Sequence, residues 1–273
     1  MIKRQIMKAG GTVYRDLPIG GTARRKVRAL FLARGDHEPF VHPWRDMKVW
    51  IDLTQSLDTR VYYTGDYEPE TMAAIQLLAA PGSSVIDVGA NTGFVSLWCS
   101  KCVGPAGSVV AIEPSNWAVE RIRRNIALND IANVETIPAA VSDAPGEAEI
   151  QVINGYRVDD ISTHSRQHVK FVTIDDVVRE RGITKLTLLK VDTDGYEVGV
   201  FRGAKQTLAE LRPTLVFEVG PDHLQRAGSS REALIALLRE SGYEFLTEAF
   251  KPVDPLAIHI EKNGTINLIG RPL

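Results

Sequence analysis

From residue 84 onward, short β-branched runs alternate with amphipathic stretches, and this alternation constrains the fold more than any other feature of the chain. Ser84-Val-Ile-Asp-Val-Gly89 is short, apolar and stopped by glycine, the pattern of a buried strand. Residues 92–103 follow as a helix, and Ser108–Glu113 as a second strand closed by Pro114. Ser115 is placed to cap the next helix, whose apolar face is Ala118, Val119, Ile122, Ile126 and Leu128. Val134–Ile137, Leu186–Val191 and Thr214–Val219 read as further strands. Helices are expected over 196–210 and Arg231–Ser241, the latter ended by Gly242. Parallel strands need crossover helices, so this order predicts an α/β, doubly wound, mostly parallel sheet with helices on both faces.

The flanks read differently. Asn263-Gly264 lies between two alternating runs, Ala257–Lys262 and Thr265–Ile269, and predicts an antiparallel hairpin after a strand at Tyr243–Thr247. Glu147–Val152 and His168–Ile174, separated by a polar loop, predict an inserted hairpin. Upstream, Val49–Leu53 and Arg60–Tyr63 read as short strands and Glu68–Leu78 as an amphipathic helix. Residues 1–66 are therefore expected to form a basic N-terminal extension that caps a domain over 67–273.

The 273 residues are 44% hydrophobic and 24% charged, which excludes a disordered tail, a collagen-like fibre or a low-complexity scaffold. No internal repeat is visible. Net charge is −2, which argues against nucleic acid as a partner, yet residues 1–50 carry eleven Lys/Arg against four acids. A solvated arm or lid is the reading of that basic stretch. Cys99 and Cys102 have redox or half-zinc spacing but sit in an apolar helical run without further ligands, so packing is expected. Nothing resembles a signal peptide or an apolar run of ~18 residues, which leads to the expectation of a cytoplasmic protein with no membrane contact.

The most informative segment is Val85-Ile-Asp-Val-Gly-Ala-Asn-Thr-Gly93, between the first strand and its helix. Open α/β sheets bind ligands there, at the carboxyl ends of their strands. A dinucleotide loop needs G-x-G-x-x-G and a phosphate loop needs G-K-[ST]; D-x-G-x-x-x-G is neither. The spacing suits a nucleoside cofactor without a pyrophosphate. Twenty residues after Gly93, Glu113 ends the second strand, where an acid can accept hydrogen bonds from ribose hydroxyls.

This loop, Glu113-Pro114 and Leu-Leu-Lys-Val-Asp-Thr-Asp-Gly-Tyr-Glu (188–197) together resemble class I S-adenosylmethionine-dependent methyltransferases, and more narrowly the FkbM family. Asn125, Asn129, Phe201-Arg-Gly-Ala204 and Arg212-Pro213 support the likeness, which covers about residues 60–250. The resemblance implies a Rossmann-like seven-stranded sheet with a C-terminal antiparallel hairpin, S-adenosyl-L-methionine as cofactor, and O-methylation of a hydroxyl on a small molecule or sugar. It places Asp87, Gly89, Asn91, Thr92 and Gly93 around the methionine and ribose, Glu113 and Pro114 at the ribose, and Ala140 and Val141 beside the adenine. Glu68 would approach the amino-acid end. The family often reads Asp-Val-Glu-Gly where this chain has Asp192-Thr-Asp-Gly195, so the second acid is one methylene shorter.

Methyl transfer requires alignment and, for a hydroxyl, a base. Asp192, also expected near the cofactor, is the first candidate and His223 the second. Tyr62, Tyr63, His164 and Tyr196 are candidates for the acceptor pocket by topology. Asp192, Asp194, Glu218 and Asp222 all fall at strand ends, but their spacing fixes no metal, and none is assigned. N-methylation, a nicotinamide oxidoreductase on the same sheet, and a cofactor-binding module without turnover are the alternatives. A homodimer is left open.

Overall fold

The computed structural model describes residues 38–157 and 162–273. Most of the basic arm, residues 1–37, lies outside that range. So does the tip of the inserted hairpin.

The described chain begins with an antiparallel pair, β1 (Phe40–Trp44) and β2 (Met47–Ile51), followed by α1 (Ser56–Thr64) and α2 (Pro69–Leu78). Then come β3 (Ser84–Val88), α3 (Phe94–Val103), β4 (Ser108–Ile112), α4 (Asn116–Leu128) and β5 (Val134–Ile137). A three-stranded sheet intervenes, made of β6 (Ala140–Val141), β7 (Gly146–Tyr156) and β8 (Ser162–Val172), with α5 (Ile174–Glu180) after it. The main fold resumes with β9 (Leu188–Val191), α6 (Glu197–Arg202), α7 (Lys205–Glu210) and β10 (Thr214–Val219). It closes with α8 (Pro221–Arg226), α9 (Arg231–Glu240), β11 (Tyr243–Thr247) and β12 (Ile266–Pro272).

The main sheet has seven strands in the order β11-β12-β10-β9-β3-β4-β5. Only β12 is reversed, pairing antiparallel with β10 and β11 on its two sides. The chain winds outward from β3 through β4 to β5, then returns to β9 beside β3 and winds the other way. That reversal opens a crevice at the carboxyl ends of β3 and β9. Ile86, Leu189, Leu215 and Phe217 face one apolar cluster, while Val85, Leu188 and Val216 face another, so both sheet faces are buried as the crossover helices require.

Several expectations change. Arg60–Tyr63 is helical, not a strand: three apolar residues in a row carry no period, and Gly65 at φ 76° ends α1 with its N–H on Val61 O. Asn263-Gly264 joins no two strands. The run from Leu256 to Ile260 is held instead by Arg231, whose guanidinium donates to the carbonyls of Leu256 and Ile258 at 3.1 and 2.8 Å. The antiparallel C-terminal strands are β11 and β12, with a long connection between them. The inserted hairpin is longer than its apolar ends suggest, because Asn154, Ser165 and Gln167 bond one another across it. The helix expected over 196–210 breaks into α6 and α7, and α5 and α8 add turns of helix where none was read.

The β1–β2 pair is packed on the core: Trp44, Val49, Ile51 and Val61 share one apolar cluster with Val85, Phe94 and Leu97. Cys99 is fully buried there and Cys102 partly; both are free thiols, and burial pushes the Cys99 pKa well up.

Candidate active site

A cavity of about 1730 Å³ occupies the crevice, walled by the β3 loop, the ends of β4, β9 and β10, strand β7, and residues of α1. Its floor is set by glycine. Gly89 sits at φ 75°, and a Cβ there would lie 1.7 Å from the Asp192 carbonyl oxygen, so only glycine lets the β3 loop pass the end of β9. The amides of Gly89 and Ala90 both donate to Ile112 O, tying the loop to β4. Asn91 follows at φ 48° and donates its N–H to Glu113 Oε2 at 2.9 Å, while Ser115 N–H donates to Oε1 at 2.9 Å. Burial pushes the Glu113 pKa up to about 7, against these two amide bonds. Each oxygen keeps a second lone pair, enough for a pair of hydroxyls.

Beneath the loop lies a buried ion cluster. Lys190 is 2% exposed, and its Nζ stands 3.1 Å from Asp192 Oδ2 and 3.6 Å from Asp87 Oδ1. Burial works against the ammonium, but Asp192 and Asp87 outweigh it and hold its pKa well above the usual lysine range. Ser96 Oγ donates to the other Asp87 oxygen at 2.6 Å. Glu68, at φ 41°, precedes α2 and lines the cavity with a buried Oε2 that has no hydrogen-bond partner among the described residues, and its charge also acts on Lys190.

On the far side of Asp192 is a second group. Glu218 and Asp194 line the cavity; His223 Nδ1 stands behind them, 3.7 Å from Glu218 Oε2 and 3.5 Å from Asp194 Oδ1. Burial, then the Asp192 charge, pushes the Glu218 pKa up to about 8. Asp194, at φ 52°, is also raised, by burial and by Asp192. Its Oδ2 accepts from Tyr156 Oη at 3.4 Å. Glu197 organises the turn between them, accepting from Thr193 N, Thr193 Oγ1 and Gly195 N.

Of the residues expected at the cofactor, Glu68, Gly89, Asn91, Thr92, Glu113, Pro114, Ala140, Val141 and Asp192 line the cavity. Asp87 and Gly93 do not. Asp87 is wholly buried under Lys190, which takes its place on the wall, and Gly93 packs against Ile122 as it opens α3. Tyr63 and Tyr196 line the cavity, whereas Tyr62 stacks with Phe40, His42 and Tyr63 off its wall. His164 is exposed on β8; the hairpin meets the cavity through Ile150–Ile153, Gly155 and Tyr156 of β7 and Phe171 of β8. Asp222 turns away and accepts from Asn263 N–H. Lys190 carries no motif that assigns it from sequence, and Glu218 is marked there only as one of several acids at strand ends. Asp194, Glu218 and His223 offer ligand atoms within 4.8 Å of one another. No helix among the described residues is long and apolar enough to cross a membrane.

A sheet wound from β3 in both directions, one reversed strand near its edge, a glycine loop without a phosphate site and an acid ending β4 define the class I S-adenosylmethionine-dependent methyltransferases. The family profile described as the methyltransferase FkbM domain matches residues 87–245, more than half of the chain, and the protein belongs to that family. Its cofactor is S-adenosyl-L-methionine, and the nicotinamide alternative falls. A profile for protein-L-isoaspartate(D-aspartate) O-methyltransferase matches residues 20–145.

Among curated proteins, methyltransferase sdnD of Sordaria araneosa is 24% identical over 195 residues, 59% of this chain and 73% of that one. AMB antimetabolite synthetase AmbE of Pseudomonas aeruginosa is 27% identical over 233 residues, 68% of this chain but 11% of that protein. A ribosomal protein L11 methyltransferase of Clostridium perfringens is 28% identical over 144 residues, 50% of this chain and 44% of that protein. The chain thus spans less than half the length of two of these three. Among solved structures, an FkbM methyltransferase from Methylobacillus flagellatus KT superposes with a TM-score of 0.48 at 16% identity, covering 77% of this chain and 52% of that one.

Proposed function

We propose that this methyltransferase acts on a hydroxyl of a small molecule or sugar, with Glu218 as the base that removes the hydroxyl proton. The observation that carries this is the Glu218 carboxyl on the cavity wall: it has a buried Oε2 without a hydrogen-bond partner among the described residues, and a pKa raised to about 8. The carboxylate forms as pH rises toward about 8 and is then a stronger base than an ordinary glutamate, as a weakly acidic hydroxyl requires; a neutral amine nucleophile needs less base. Bound S-adenosyl-L-methionine supplies an electrophilic methyl on sulfonium. The residues' work is to align the acceptor with that methyl and to take the proton as the oxygen–carbon bond forms and the carbon–sulfur bond breaks.

Asp192, the first candidate from sequence, has its Oδ2 engaged by the Lys190 ammonium; its place is beside the cofactor. His223 stands behind Glu218 and Asp194, off the cavity wall, and positions the two carboxyls rather than meeting the acceptor. Glu113 holds the ribose, Ala140 and Val141 flank the adenine, and Glu68 meets the α-ammonium group. Asp87 acts through Lys190. Tyr63, Tyr196 and Tyr156 frame the acceptor, and residues 1–66 cap the catalytic domain.

The test is calorimetric titration with S-adenosylhomocysteine, followed by turnover on matched hydroxyl and amine acceptors by wild type and Glu218→Gln. Turnover on hydroxyls that is lost in E218Q supports the reading. An amine acceptor turned over equally by both proteins favours N-methylation and removes Glu218 from the chemistry.

A further inference from the structure

One edge of β2 pairs with β1; the other faces helix α4. The backbone groups of that second edge are satisfied by helix side chains. Lys48 N–H donates to Asn129 Oδ1 and Asn129 Nδ2 returns a bond to Lys48 O, both at 2.7 Å. Trp50 N–H donates to Asn125 Oδ1 at 2.7 Å, and the Arg121 guanidinium donates to Trp50 O at 3.0 Å. Alternate strand residues are about 6.6 Å apart and residues one helical turn apart about 6 Å, so the helix presents these groups at nearly the spacing of a neighbouring strand. Asn125, fully buried, has a second partner: its Nδ2 donates to Thr92 O at 3.1 Å. Thr92 stands in the glycine loop, next to Asn91 and its bond to Glu113. One carboxamide therefore joins the cap strand to the cofactor loop, while the Asn129 side chain, among the described residues, bonds Lys48 and the Asn125 carbonyl.

We propose that Asn125 is a positioning residue that couples the seating of the β1–β2 cap to the geometry of the 89–93 loop, so that cofactor binding tightens the cap. The cap leads directly into α1, which contributes Arg60 and Tyr63 to the cavity wall, so the same coupling orders the acceptor side once the cofactor is in place. The inference rests on the loop being the cofactor's seat. A carboxamide offers an acceptor and a donor in one plane; a carboxylate offers acceptors only. Asn125→Asp keeps an acceptor for Trp50 N–H but turns an oxygen toward Thr92 O, and Asn129→Asp makes the same chemical change one turn away.

The experiment is residue-resolved amide exchange on the full chain, ligand-free and with saturating S-adenosylhomocysteine, together with titration of both variants. In the ligand-free state N125D should speed exchange of the Gly93 and Trp50 amides together, by about tenfold or more, whereas N129D should speed Lys48 and spare the loop. N125D should weaken S-adenosylhomocysteine by roughly 5- to 100-fold, the effect of an unsatisfied buried carbonyl, with N129D within about twofold of wild type. In wild type, ligand should slow Trp50 exchange. N125D binding as tightly as wild type, or Trp50 exchange indifferent to ligand, overturns the proposal. If N125D does not fold, the wild-type exchange decides alone. If wild type binds no S-adenosylhomocysteine, the cofactor seat is refuted, and joint or separate quickening of Gly93 and Trp50 in ligand-free N125D still decides the coupling.

Discussion

Glu218→Gln should stabilise the protein at alkaline pH and leave it unchanged in acid. Glu218 is mostly buried, and its carboxyl stays protonated up to about pH 8, against 4.5 for an ordinary glutamate. At about 1.4 kcal/mol per tenfold change in acidity, the folded state disfavours the ionised form by roughly 5 kcal/mol; sharing that penalty with neighbouring Asp192 reduces it to about 2–5 kcal/mol. Between pH 4.5 and 8 the folded chain holds a proton that the unfolded chain has lost, so wild-type stability falls as pH rises through that window and levels off above it. Glutamine has no proton to lose. Urea unfolding of both proteins at pH 4, 6, 7, 8 and 9 should show the advantage of E218Q growing from near zero to about 2–5 kcal/mol. A difference constant to within about 0.5 kcal/mol across that range would falsify the assignment of a strained, solvent-poor carboxyl. The same variant should bind S-adenosylhomocysteine normally and lose roughly 10²–10⁴-fold in kcat.

Lys190→Met leaves Asp87 and Asp192 without their cation and should cost about 3–5 kcal/mol at pH 7 by urea midpoint, with part recovered in K190M/D87N; full stability in K190M would show the ion cluster to be inert. Glu113→Gln should weaken S-adenosylhomocysteine about tenfold. Wild-type affinity should improve as pH rises through about 7, where the carboxylate forms, and calorimetry on E113Q should show that dependence gone. Removing residues 1–37, which spares the packed β1–β2 pair, should raise the acceptor's KM and leave cofactor affinity unchanged; an unaltered KM assigns the basic arm another task.

The parts legible in the sequence were those where one residue type has one physical use. Gly89 and Gly93, between a β-branched strand and an apolar helix, carry a backbone requirement that no other residue meets, and Ser115 caps α4 as expected, accepting from Ala118 N–H. Asn125 and Asn129 were visible as family markers while their work was not, because their partners Lys48 and Trp50 are distant in sequence and bond through backbone atoms. Lys190 was hidden for a related reason: a lysine in an apolar strand looks like an interruption until Asp87 and Asp192 are seen converging on it. Asn263-Gly264 misled because a turn signal says the chain bends but not that its arms pair. Arg60–Tyr63 misled because β-propensity reflects the surface a strand packs on, and this segment docks as a helix.

The place of β12 has a consequence for synthesis. It is made after β11 yet lies between β10 and β11 in the finished sheet. A nascent chain that has already delivered β10 and β11 therefore carries β10 with one edge open beyond β9 and β11 without its partner strand, and those edges can recruit another chain. The connection between them and their missing partner passes Arg231, which fastens Leu256 and Ile258 before Ile266 is reached. Yield during expression should then depend on how fast the last strand arrives, and slow growth temperatures or holdase chaperones should help this protein more than its folded stability alone suggests.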